Sequence, residues 1–297
     1  MLHFKNTLGT LMRLPRSLFF LTIILFTLTI SCNGDKDDVE DSYVRCEYEA
    51  GLQSALSYHI VLIMGQSNTF SGRGLDPEID FPMSNLKQLG RFTNDLEIID
   101  AIPPLDHHSS RENSIGFGLT FGNLYAQNIL NADEILILVP CGLGGSGFVN
   151  DKWNKGDPLY NDAIERVNYI RENFENSELT AVLWHQGERD IDTENYGDLL
   201  SRFITEFRTD SMSPNIPFIL GGMVPYWVDA NPKRQDVETI IRDIPDTHLS
   251  TAFVNPRQPF IIQKEVNNED AIHFDAKGQR ELGRRYFNEF VCLLKNE

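Results

Sequence analysis

Cysteine is scarce, and its spacing argues against two architectures. The 297 residues contain only Cys32, Cys46, Cys141 and Cys292, with no two at zinc-ligand spacing. That number is also too small for a fold stapled by disulfides. Cys46 and Cys292 lie near the two ends of the chain and could pair, which spacing alone does not establish. Basic side chains are outnumbered: 26 Lys and Arg stand against 43 Asp and Glu, for a net charge of −17. Such a surface repels nucleic acid and anionic membrane faces, and suits a neutral or locally captured substrate. An acidic face that serves solubility alone explains the charge equally well. No Gly-Lys-Ser/Thr loop end is present, which disfavours a nucleotide phosphate loop of that kind. Nothing repeats at a period of about 20–50 residues, so neither solenoid nor propeller is expected. No cofactor and no metal is expected either.

Long apolar runs are missing too. Ser17 to Ile30 is almost wholly apolar but too short for a comfortable membrane span. It follows a basic region with Lys5, Arg13 and Arg16, so residues 1–31 read as a signal peptide. Its end, Leu28-Thr29-Ile30-Ser31-Cys32, resembles a bacterial lipoprotein box, in which the cysteine becomes the lipidated N-terminus. A plain signal peptide with an incidental cysteine is the alternative. Residues 32–45 then form an acidic tether with Asp35, Asp37, Asp38, Glu40 and Asp41, unable to pack a core. The expected location is the bacterial cell envelope, periplasmic or surface-exposed, with a lipid anchor as the only membrane contact. Removing the first 31 residues, which carry three basic side chains and no acid, takes the net charge from −17 to −20.

The remaining residues, 46–297, are enough for one large α/β domain. His59 to Met64 is an apolar, β-branched run of the kind found in a strand buried on both faces. Glu134 to Val139, Thr180 to Trp184, Pro217 to Leu220 and Ser250 to Val254 read as further strands. Helical periodicity covers 116–130, 159–174, 196–208 and 276–294, with Asp275 as a plausible cap of the last. Asn68 to Arg91 reads mainly as loop. Strands alternating with helices give a three-layer α/β/α sandwich with a mostly parallel sheet.

Three strands end in loops that carry chemistry. After the first comes Gly65-Gln66-Ser67-Asn68; after the second, Pro140 to Gly147; after the third, His185-Gln186-Gly187-Glu188. Ser67 offers a hydroxyl and a backbone N–H, Gly145 (or Gly144) a second N–H, and Gln186 a side-chain amide. Such donors stabilise the oxyanion that forms when a carbonyl is attacked. Near the other end, Asp270 and His273 stand three residues apart, so that His273 takes the Ser67 proton and Asp270 fixes its tautomer.

These stretches resemble the SGNH/GDSL hydrolase superfamily, and within it the carbohydrate esterase family 6 and sialate O-acetylesterase-like branch. Gly65-Gln66-Ser67-Asn68, Val139-Pro140-Cys141 with Gly144-Gly145, Trp184-His185-Gln186-Gly187-Glu188 and Asp270-Ala271-Ile272-His273 carry the resemblance. It spans roughly residues 58 to 287. It implies a flavodoxin-like sandwich and a metal-independent serine esterase that removes O-acetyl groups from an acetylated carbohydrate. Ser67 is then the nucleophile, His273 the base and Asp270 its partner. The N–H groups of Ser67 and Gly145 with the Gln186 amide form the oxyanion hole, while Glu188 and Asp190 hold the Gln186 loop. Thr69 and Arg189 depart from the branch, at positions where methionine and a small residue are common. A glycan-binding protein without turnover, and a lipase or thioesterase, are the rival readings.

For sugar contact, Trp153 and Trp227 lie in loops after strands, and Arg73 and Arg189 suit a carboxylate or local acids. Tyr160 and Tyr226 are further aromatic candidates, while Trp184, within a strand, reads as core. His107-His108 reads as surface loop.

Overall fold

The computed structural model describes residues 45, 46, 57–263 and 270–295. The expected signal segment, the lipidation site Cys32 and the tether up to residue 44 lie outside the described residues.

Along the chain, β1 is Tyr58–Gly65, β2 Gly72–Arg73, β3 Leu86–Leu89, β4 Ile98–Asp100 and β5 Ser114–Ile115. Helix α1 (Phe117–Asn128) leads to β6 (Ile135–Pro140), and α2 (Pro158–Asn173) to β7 (Ser177–His185). There follow α3 (Tyr196–Asp210), β8 (Phe218–Gly221), α4 (Pro225–Asp229), α5 (Pro232–Asp243), β9 (Thr251–Val254) and α6 (Ala276–Lys295).

The main sheet runs β4-β3-β6-β1-β7-β8-β9, parallel throughout except where β4 pairs antiparallel with β3 at the edge. Without that edge hairpin, the five strands β1, β6, β7, β8 and β9 lie in the order 2-1-3-4-5, the flavodoxin-like arrangement. Strand β1 is therefore central, paired with β6 on one side and β7 on the other. Its side chains are buried from His59 onward, which explains an apolar run without alternation.

Consecutive residues of a strand face opposite sides, and the end of β7 shows both layers. Trp184 packs on Phe203 of α3 and, edge-on, on Trp153 from the segment before α2. His185 instead meets Phe117 of α1 and Tyr286 of α6, which stack on each other at 4.3 Å. Helices α1 and α6 thus cover one face, and α2 and α3 the other.

Several elements depart from the sequence-based expectation. Strands β2 and β3 fall inside residues read mainly as loop, and β4, β5, α4 and α5 were not anticipated. Only Val237, Glu238 and Ile241 of α5 are buried, too narrow a stripe to stand out in a charged stretch. Cys46 and Cys292 do pair, with Cα atoms 5.3 Å apart. Among the described residues, no helix is long and apolar enough to cross a membrane.

Candidate active site

Parallel sheets hold ligands beyond the carboxyl ends of their strands, where the chain order reverses. That point here lies between β1 and β7. Gly65 ends β1 at φ +128°, and a Cβ there would overlap the His185 carbonyl. Glycine is therefore required for β1 to lie against β7 as it turns. Gln66 N–H donates to His185 O at 2.9 Å, and Thr69 folds back on Gln66 O through both its N–H and its hydroxyl. The result is a tight turn that leaves Ser67 half-buried between two fully buried strands.

Ser67, His273 and Asp270 come together from positions up to 206 residues apart. The Ser67 Oγ lies 2.8 Å from His273 Nε2, and His273 Nδ1 lies 2.7 Å from Asp270 Oδ2. An ionised carboxylate only accepts, so Nδ1 carries the proton and Nε2 is left to accept from the Ser67 hydroxyl. Arg111, which the sequence did not single out, donates to Asp270 Oδ2 at 3.2 Å. Asp275 caps α6 just beyond, taking the Gly278 N–H at 2.7 Å.

The glycine loop after β6 is tied to the serine turn. Gly65 O accepts from Leu143 N–H at 3.1 Å and from the Ser146 hydroxyl at 3.2 Å. Gly145 sits at φ +68° with open space around it, and its N–H has no acceptor among the described residues. The Ser67 N–H is likewise without one.

Gln186 differs from its expected role. It is fully buried, and its Nε2 donates to Asp190 at 2.7 Å, with longer contacts of 3.5 Å to Gln66 Oε1 and Ser146 O. The Tyr196 hydroxyl donates to its Oε1 at 3.1 Å. One amide hydrogen is thus taken by Asp190, while the other has only the two longer contacts. Gln66, only 3% exposed, accepts from Arg189 N–H at 3.1 Å through Oε1, and its Nε2 has no acceptor among the described residues.

The two acids after Gln186 also divide their work. Asp190 holds the Gln186 loop and takes the N–H groups of Phe148 and Val149, both at 2.9 Å. Glu188 does not touch that loop's amide. It accepts from Asn68 Nδ2, and burial pushes its carboxyl up to about 7, against the pull of that bond.

Among the expected sugar contacts, Trp153 is corrected. It is fully buried, with its indole N–H on Ser146 Oγ at 2.9 Å, so it supports the glycine loop from below. Trp227 is corrected as well: it is only 8% exposed, and the Arg234 guanidinium lies 4.0 Å from its ring centroid. Tyr160 is buried, its hydroxyl on Asp210, and Trp184 is core as expected. Tyr226, on α4 just beyond the carboxyl end of β8, is 73% exposed. Arg73 and Arg189 are exposed and make no ion pair among the described residues. His107 is not surface loop. It is buried, accepts the Gly142 N–H at 2.9 Å through Nδ1, and is held neutral by burial, its pKa lowered to about 3. His108 pairs with Asp162 at 3.0 Å.

The chain is similar to proteins already known. The family model for carbohydrate esterase, sialic acid-specific acetylesterase, matches residues 57–292. A protein of Arabidopsis thaliana named "Probable carbohydrate esterase" is 31% identical over 182 residues, covering 54% of this chain and 66% of that protein. The X-ray structure of an Arabidopsis thaliana protein shares the fold at a TM-score of 0.65 and 24% identity, covering 80% of this chain and 98% of that one. NanS does so at 0.67 and 18% identity, covering 83% and 100%. A carbohydrate acetylesterase from Xanthomonas citri does so at 0.57 and 14% identity, covering 80% and 57%. With a match across most of its length, the chain belongs to the carbohydrate esterase, sialic acid-specific acetylesterase family.

Proposed function

We propose that the protein is a serine esterase that removes O-acetyl groups from a carbohydrate. The observation that carries this reading is the hydrogen-bonded line from Ser67 through His273 to Asp270, near the Ser67 and Gly145 N–H groups and the Gln66 Nε2, which have no acceptor among the described residues. Ser67 Oγ attacks the acetyl carbonyl carbon as His273 Nε2 takes its proton. The tetrahedral oxyanion is received by the N–H groups of Ser67 and Gly145 and by the Gln66 amide, in place of Gln186. The bond to the sugar oxygen then breaks, and His273 returns the proton to that oxygen. Water attacks the acetyl-Ser67 ester with His273 again as base, which releases acetate.

The family description names sialic acid, and the unpaired Arg73 and Arg189 suit a sugar that bears a carboxylate. The Cys46–Cys292 disulfide fits an oxidising compartment, as a secreted or envelope protein requires. A lipid anchor at Cys32 remains part of the same proposal.

The deciding experiment is hydrolysis of an aryl acetate by wild type and Ser67→Ala. We expect the variant to fold and lose turnover, and a fluorophosphonate to label wild type alone. Turnover at the wild-type rate in Ser67→Ala would end this reading. A glycan-binding protein without turnover would leave the wild type unlabelled, and a preference for butyryl over acetyl esters would point to a lipase or thioesterase.

A further inference from the structure

The stretch that carries the base has no regular secondary structure from Asp270 to Asp275, so no backbone ladder fixes it. Two bonds from one side chain grip it. Asn68 Nδ2 donates to Ile272 O at 3.0 Å, and Asn68 Oδ1 accepts the Phe274 N–H at 3.1 Å. These are the peptide groups on either side of His273. Asn68 is fully buried and is the residue after Ser67, so nucleophile and base are fastened to one point.

An amide holds two peptides this way in only one orientation. Turned over, its oxygen would meet the Ile272 oxygen and its nitrogen the Phe274 N–H. Glu188 supplies the discrimination, since its Oε1 accepts the second hydrogen of Asn68 Nδ2. The Asn68 carbonyl is held in turn by Gln279 Nε2 of α6 at 2.9 Å. The site Glu188 occupies is costly: it is buried and its Oε2 has no hydrogen-bond partner. Groups kept in such places are those whose geometry matters.

We propose that Asn68, oriented by Glu188, positions the His273 imidazole for proton exchange with Ser67. The proposal rests on the reading of His273 as the base. Asn68 and Glu188 are positioning residues here, since neither meets the reacting atoms.

Kinetics on an aryl acetate for Asn68→Ala, Glu188→Met and Glu188→Gln test it, with fluorophosphonate labelling and thermal melts of each protein. Methionine fills the volume without an accepting oxygen, whereas glutamine keeps one. We expect Asn68→Ala to lower kcat about 100-fold with KM within about twofold. Glu188→Met should lower kcat about 10-fold, and Glu188→Gln should restore it to within about twofold. Equal kcat for the methionine and glutamine variants, or a loss that falls on KM, would overturn the proposal while wild-type labelling keeps the esterase reading intact. If Asn68→Ala fails to fold, the methionine–glutamine pair decides the matter alone. A wild type that neither labels nor turns over would sink both readings together.

Discussion

On the β6 side of the Ser67 turn, Arg91 is buried against Asp162, with Arg166 and His108 on the same carboxylate. On the β7–β8 side, Glu188 and Glu238 are buried and make no ion pair among the described residues. Both clusters support a loop of the candidate site. Arg91 reaches Pro140 O at 3.0 Å and Cys141 Sγ at 3.1 Å, at the root of the glycine loop. Glu188 holds Asn68, and Glu238 takes the Met223 N–H at 2.8 Å. The clusters differ in how they meet the cost of burial. Burial alone would raise the Asp162 pKa, but hydrogen bonds from Arg91 and His108 outweigh it and hold the carboxylate well below its usual range. Burial wins at Glu188 and Glu238, whose carboxyls are both pushed up to about 7. One cluster is built from charges, and the other from acids in which burial favours the protonated form.

That contrast is open to attack at three points. The largest effect is expected from Asp162→Ala, which strands the buried Arg91 guanidinium. Loss of one partner of a buried pair costs about 3–5 kcal/mol, read from chemical denaturation at neutral pH. A loss below about 1 kcal/mol would make the pair equivalent to a surface salt bridge and erase the distinction.

Glu188→Gln comes next, with a sign that depends on pH. The wild-type carboxyl titrates near 4.5 when unfolded and near 7 when folded. The native state therefore binds the extra proton, and wild-type stability falls as pH rises from about 4.5 to 7. Glutamine has no such loss. The variant should be more stable than wild type by about 3 kcal/mol at pH 8, with the difference vanishing below about pH 4.5. A difference independent of pH would show that Glu188 is charged in the fold.

His107→Leu is the smallest. It leaves the Gly142 N–H without its acceptor, a loss of about 1–3 kcal/mol. Because His107 stays neutral in the fold while an unfolded imidazole takes up a proton near 6.5, wild-type stability falls as pH drops below about 6.5, and the loss on substitution should be smaller at pH 5 than at pH 8 by about 2 kcal/mol. Equal losses at the two pH values would place a charge on the ring in the fold.

The strands at the centre of the sheet were the easiest features to read from sequence. β1, β6 and β7 are covered on both faces, so burial writes them as unbroken apolar runs. The strand next to the edge was harder: β3 is Leu-Lys-Gln-Leu, short and partly polar, and its pattern is that of the loops around it. Helix α5 did carry a signal in Asn231-Pro232, where the Asn231 side chain accepts from Lys233 N–H and proline opens the first turn. At the site, residue types at strand ends pointed to Ser67, His273 and Asp270, because acyl transfer needs those groups in any fold. That Asp190 captures the Gln186 amide across four residues was beyond the sequence, since only the fold sets where the two side chains point. Trp153 and His107 were misread for one shared reason: a loop position does not fix burial, and both rings sit under the glycine loop that they support.

The Cys46–Cys292 bond has a mechanical consequence. Tension entering the chain from before Cys46 reaches α6 through a covalent link, before it reaches β1. Helix α6 is gripped by α1 through Phe117 on Tyr286 and Phe121 on Phe290, so the load spreads along a helix–helix seam. Without that link, the same pull would act on β1, the strand on which the sheet and the Ser67 turn both depend. A pull applied ahead of Cys46 would load the last helix and spare the central strand.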